Sequence, residues 1–161
     1  MDIDTYQKIA NNTHKVTDDG VVSRTTRNAE KIADVLLRAI HLGEQADNLK
    51  RELFYKEDEG EFCEKADNPT LMLHALLGIL SEMPELAILE DGVISLQPKV
   101  VKEEGGDLLW YLMLLFKSAE LDASGVISAN VEKLKARYDG VFSAEKALNR
   151  DLDKEQEIFN A

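Results

Sequence analysis

Nine consecutive apolar residues, Leu108-Leu109-Trp110-Tyr111-Leu112-Met113-Leu114-Leu115-Phe116, lie inside a helical pattern and leave it no polar face. A helix that is apolar around its whole circumference must be buried on every side. A chain of 161 residues has one sizeable core and not two, and one such chain covers that helix only in part. The block therefore predicts a helical bundle whose core is completed by a neighbouring copy, in a homodimer or homotetramer. It is about half the length needed to cross a bilayer, so no membrane partner is expected.

The rest of the chain reads as helix. β-Branched residues are scattered and no alternating run is bounded by turns. A first helix is expected over 3–12, then a turn at Thr17-Asp18-Asp19-Gly20. A second runs over 28–41 with Ile32, Val35, Leu36, Ala39 and Ile40 on one side, and continues past a break near Gly43 to Phe54. The acidic stretch 57–61 reads as a solvated loop. Asn68 before Pro69 marks a helix start, and 70–89 follows as one helix stopped by Asp91-Gly92. Pro98 suits the first turn of the helix carrying the apolar block to about Glu120. A fourth long helix spans 124–138 and stops at Asp139-Gly140, and the tail 143–159 is helical in parts. The expected fold is all-α: an antiparallel bundle of four main helices with N- and C-terminal helical segments, as a single domain over 1–161.

Charge narrows the function. Nineteen basic against 31 acidic residues leave a net charge of −12, which argues against a nucleic-acid partner, since tracking phosphates needs a basic face. A phosphorylated small molecule stays open if cations sit between it and the protein. The N-terminal Met1-Asp2-Ile3-Asp4 reads as no signal peptide, and one cysteine, Cys63, forms no internal disulfide, so a cytoplasmic setting is expected.

Glu82 and Glu85 are three apart, which on a helix puts them on one face, and Glu104 and Asp107 repeat the spacing at the start of the next long helix. The spacer 86–103 lets the second helix return antiparallel, so the two pairs can face each other. Four such carboxylates are hard oxygen ligands suited to Mg²⁺, and they repel one another unless a cation is present. Acidic residues three apart are also common on solvated faces. The metal reading gains from the apolar flanks, Leu76-Leu77-Gly78-Ile79-Leu80 before the first pair and the nine-residue block after the second. It gains further from Gly105-Gly106, where each glycine costs a helix about 1 kcal/mol and suggests a neighbouring helix or a phosphate close to the backbone.

The run Leu76-Leu77-Gly78-Ile79-Leu80-Ser81-Glu82-Met83-Pro84-Glu85-Leu86, followed by Glu103-Glu104-Gly105-Gly106-Asp107-Leu108-Leu109-Trp110-Tyr111-Leu112, resembles the MazG-like all-α nucleoside triphosphate pyrophosphohydrolases, whose signature is Glu-x-x-Glu, a spacer, then Glu-x-x-Asp. The stretch from Asn130 to Asn149-Arg150-Asp151 is also similar, and the good match covers about 70–152. The resemblance implies metal-dependent cleavage of a nucleoside triphosphate to a monophosphate and pyrophosphate, with Glu82, Glu85, Glu104 and Asp107 as metal and catalytic residues and Mg²⁺, or Mn²⁺, as the cofactor. Two departures stand out. Pro84 lies between the first two glutamates and predicts a kink, and the segment 16–68 is long, which suits a lid, a dimer arm or a substrate-selecting insert.

Further candidates surround the carboxylates. Tyr111 is one turn beyond Asp107 and is a candidate for the sugar or base, or a core aromatic. Asn130, Lys133 and Arg137 share one helix face, positioned for phosphate or base or else for solvent. His74 reads as structural, Trp110 as core or interface, and Lys102 as a phosphate-steering or solvated residue. A di-iron carboxylate bundle needs Glu-x-x-His on two helices, and His14, His41 and His74 are wrongly placed for it. A non-catalytic helical interaction protein leaves the double glycine and the apolar flanks unexplained.

Overall fold

Seven α-helices, one 3₁₀ turn and one short hairpin carry the described residues of the computed structural model, which are 1–13, 28–55, 67–86, 88–90, 93–139 and 141–160. They group into two units, Arg24–Glu120 and Met1–Ser23 with Leu121–Ala161. The expected turn at 17–20, the acidic loop 57–61, Cys63, Asp91-Gly92 and Gly140 lie outside the described residues.

The central unit holds three long helices: α2 (Ala29–Phe54), α3 (Asn68–Glu82) and α4 (Pro98–Ser118). Each neighbours the next in antiparallel fashion, since Phe54 stacks on His74 while Gly43 meets Pro84, and His74 meets Trp110 while Glu82 meets Asp107. Asp67 starts α3 by accepting the Thr70 amide at 2.9 Å, one residue before the expected start. Pro69 and Pro98 sit in first turns, where a missing N–H costs nothing. Ala46, Ala75, Leu77 and Tyr111 form the buried centre.

Three expectations are corrected here. Helix α2 runs unbroken through Gly43. A Cβ there would lie 2.9 Å from Pro84 Cγ and 3.1 Å from the Leu80 carbonyl oxygen, so the glycine allows close helix contact and ends nothing. Helix α3 stops at Glu82 instead of running to 89. Pro84 has no N–H for the Leu80 carbonyl and crowds it, so the chain tightens into a 3₁₀ turn, Met83–Leu86. A hairpin then replaces the last helical turn, with β1 (Ile88–Glu90) paired antiparallel to β2 (Val93–Ser95) and Leu89 opposite Ile94. Asp91-Gly92 in the sequence Ile88-Leu89-Glu90-Asp91-Gly92-Val93-Ile94 is a strong hairpin signal as well as a helix stop.

Most of the described part of the long segment 16–68 is helix α2, which packs along α3 within the central unit. The apolar block of α4 is only partly covered: Tyr111 is buried, but Leu109, Trp110 and Met113 are 50%, 56% and 43% exposed. Among the described residues no helix is long and apolar enough to cross a membrane.

The terminal unit comprises α1 (Ile3–Thr13), α5 (Ala123–Tyr138), α6 (Ala144–Leu148) and α7 (Leu152–Asn160). Asp122 caps α5 through the Gly125 amide at 2.8 Å, and Asp139 closes it in the left-handed conformation at φ 53°. Val131 is almost fully buried, and Tyr138 packs against Phe142 with ring centres 5.4 Å apart.

Candidate metal centre

The antiparallel return of α4 along α3 brings the end of one helix beside the start of the next. Glu82, the last residue of α3, there meets Glu104 and Asp107, in the first turns of α4. One carboxylate oxygen from each lies within 4.8 Å of the others. Glu82 and Glu104 are half-buried and Asp107 is exposed, so the group opens on one side to solvent. Three hard oxygen donors at such spacing fit a divalent cation without rearrangement of the backbone.

Glu85 stands apart from this group. The sequence reading put it on the face of Glu82 by α-helical spacing, but Pro84 ends the helix between them and Glu85 lies in the 3₁₀ turn. It remains electrostatically close. Burial, then the charges of Glu82 and Asp47, push its carboxyl above the ordinary range. Burial, followed by Glu85 and Glu82, raises Glu104 in the same sense. Both shifts record burial first and crowded negative charge second.

The residue that the sequence reading missed is Lys50. Only 5% exposed, it donates from Nζ to Glu82 Oε1 at 3.0 Å and to Ser81 Oγ at 3.0 Å, with Asp47 Oδ1 at 3.2 Å. Its ammonium also lies 5.2 Å from the centre of the Tyr111 ring. Burial works to lower its pKa, but hydrogen bonds to Glu82, Tyr111 and Asp47 outweigh it and raise the value. Asp47 is held in turn by Arg51 at 2.6 Å. A signal was available: Gly43, Ala46, Lys50 and Phe54 fall on one stripe of α2, and a lysine on a buried stripe needs an anion.

Tyr111 lies behind this pair and is buried. Its ring occupies the space that a Cβ on Gly78 would fill, so Gly78 is required for the ring to reach Lys50. His74 links the aromatic group, stacked on Phe54 at 4.4 Å and edge-on to Tyr111 at 5.6 Å and Trp110 at 6.1 Å. Burial, then the Lys50 charge, lowers its pKa. Lys102 is exposed. Among the described residues none makes the close approach expected at Gly105-Gly106: a Cβ at Gly106 meets nothing within 4 Å, and one at Gly105 only Leu86 at 4.0 Å.

Asn130, Lys133 and Arg137 share a face of α5 as expected, and that face packs within the terminal unit. Asn130 accepts from the Tyr6 hydroxyl at 3.3 Å, Lys133 lies 5.8 Å from the Phe159 ring centre, and Arg137 pairs with Glu155 at 2.5 Å.

The central helices and their converging acids define a helical protein with a carboxylate cluster that could hold a cation. Residues 72–142, which run from α3 through the cluster to just past α5, match the family model described as the MazG nucleotide pyrophosphohydrolase domain. Over that stretch, a little under half of its length, the chain is similar to the MazG-like family. No curated protein and no solved structure matches the chain significantly.

Proposed function

We propose that the protein is a metal-dependent nucleoside triphosphate pyrophosphohydrolase, releasing a nucleoside monophosphate and pyrophosphate. The observation that carries this reading is the convergence of Glu82, Glu104 and Asp107 within 4.8 Å, inside a stretch matching a pyrophosphohydrolase domain. Those three residues would hold Mg²⁺, or Mn²⁺, which when bound neutralises phosphate charge and makes water a better nucleophile. Lys50 fixes Glu82 by one oxygen, Oε1, and thereby orients the carboxylate. Glu85 stands beside the group, and burial, followed by the carboxylates of Glu82 and Asp47, raises its proton affinity. It is the residue assigned to accept the proton of the attacking water, as the water oxygen bonds to phosphorus and the bridging P–O bond breaks. Tyr111 acts in this reading as the support of Lys50. Asn130, Lys133 and Arg137 are engaged within their own unit, so the reading does not rest on them.

The reading includes a homo-oligomer, supported by the exposed apolar face of α4 at Leu109, Trp110 and Met113. Sedimentation as a monomer would remove that part alone. The reaction is tested with a panel of nucleotides and Mg²⁺ or Mn²⁺, scored separately for pyrophosphate and orthophosphate. Pyrophosphate release is expected, and its loss in Glu82→Ala and Asp107→Ala with helicity unchanged. Release of orthophosphate alone, or near-normal turnover in both variants, overturns the proposal.

A further inference from the structure

The terminal unit contains a second concentration of charge, of opposite sign. A cavity of about 200 Å³ lies between the end of α5 and the α6–α7 segment, lined by Arg137, Lys146, Arg150, Lys154, Asp151 and Glu155. Four cationic side chains there face two anionic ones, in a chain whose net charge is −12. The two acids leave two of the positive charges uncompensated. Glu155 is already saturated, taking Arg137 Nε and Nη2 at 2.7 and 2.5 Å and Arg150 Nε and Nη2 at 3.3 and 2.7 Å. Asp151 Oδ1 accepts the Lys154 amide at 3.1 Å. Two guanidinium groups thus share one carboxylate, Arg150 keeps its Nη1 unpartnered among the described residues, and neither Lys146 nor Lys154 has an ion-pair partner there.

Like charges gathered in this way repel unless an anion joins them. Guanidinium forks and lysine ammonium groups together suit a multiply charged oxyanion, above all a phosphoryl group. The volume is below the range of pockets that enclose a whole drug-sized ligand, so the space takes phosphoryl groups but not a base and sugar with them. We propose that this cavity is a phosphoryl-anion site, with Arg150, Lys146 and Lys154 as its ligands and Glu155 as the residue that positions the two arginines. The site is built wholly within the terminal unit and does not rest on the pyrophosphohydrolase reading.

The test is calorimetric titration of the full chain with inorganic pyrophosphate in metal-free buffer, with a non-hydrolysable nucleoside triphosphate as a second arm. Arg150→Gln and Lys154→Gln are both exposed substitutions expected to fold, and Lys135→Gln removes the same charge from α5 outside the cavity. Pyrophosphate binding that weakens about tenfold in the first two variants and not in the third supports the site. Binding of the triphosphate alone, lost in the same two variants, also supports it and assigns the anion as the tail of a larger ligand. No binding of either probe, or equal loss in all three variants, overturns it. Unchanged affinity in Arg150→Gln and Lys154→Gln overturns it as well.

Discussion

Replacing Lys50 by methionine keeps most of the side-chain volume and deletes only the buried charge. The ammonium now faces Glu82 at 3.0 Å, Asp47 at 3.2 Å and the Ser81 hydroxyl at 3.0 Å, at 5% exposure. Removing one partner from a buried ion pair costs about 3–5 kcal/mol. Here the low end applies, because Asp47 keeps Arg51 at 2.6 Å and Glu82 keeps the Ser81 hydroxyl at 3.1 Å. A loss of about 3 kcal/mol lowers the melting temperature of a chain this size by roughly 10 °C. Mg²⁺ at about 100 times its Kd returns about 2.7 kcal/mol, enough to offset most of the loss, because a cation again neutralises Glu82. The assay is thermal or urea unfolding of Lys50→Met and the parent protein, each in chelator and in Mg²⁺. A chelated variant within about 1 kcal/mol of the parent would show that Lys50 is not the counter-charge of this centre. Stability indifferent to Mg²⁺ in both proteins would refute the metal centre itself.

Gly43→Ala gains about 1 kcal/mol of helix propensity. Its Cβ, however, lies 2.9 Å from Pro84 and 3.1 Å from the Leu80 carbonyl, and overpacking of that kind costs about 1–3 kcal/mol. A net loss is expected in urea unfolding, and a gain in stability would show that the contact relaxes freely. Glu155 is held by Arg137 and Arg150 down to about 2 from an ordinary 4.5. Because the folded value is depressed, its stabilisation is complete above about 4.5 and is lost as the pH falls from there toward 2. The stability difference between the protein and Glu155→Gln should shrink over that window, and a difference independent of pH would rule out this account.

Much of this protein follows from pattern alone. Proline in first turns and periodic apolar residues fix the starts of four long helices within a few residues, because helix formation is decided by neighbours along the chain. The pairing of Glu82 with Glu104 and Asp107 was legible for the same reason: regular spacing on two helices joined by a short spacer leaves few alternatives. Two local signals in the sequence account for the departures from regular helix. Pro84 ends α3 and takes Glu85 out of line with Glu82, and Asp91-Gly92 lies between paired strands.

Other features belong to packing between remote segments. Gly105-Gly106 has no close contact among the described residues, whereas Gly43 and Gly78 do, against Pro84 and Tyr111. Which glycine meets a neighbour depends on how helices cross, not on its own helix. Lys50 looks like any helical lysine until α2 lies along α3 and buries it between Asp47 and Glu82. Arg137 reads as a free cation until α7 returns to place Glu155 against it. The sequence determined the helices and the carboxylate pairs, which are properties of spacing. Tertiary structure alone decided which charges are buried together, because desolvation and Coulomb energy depend on distances between segments far apart in the chain.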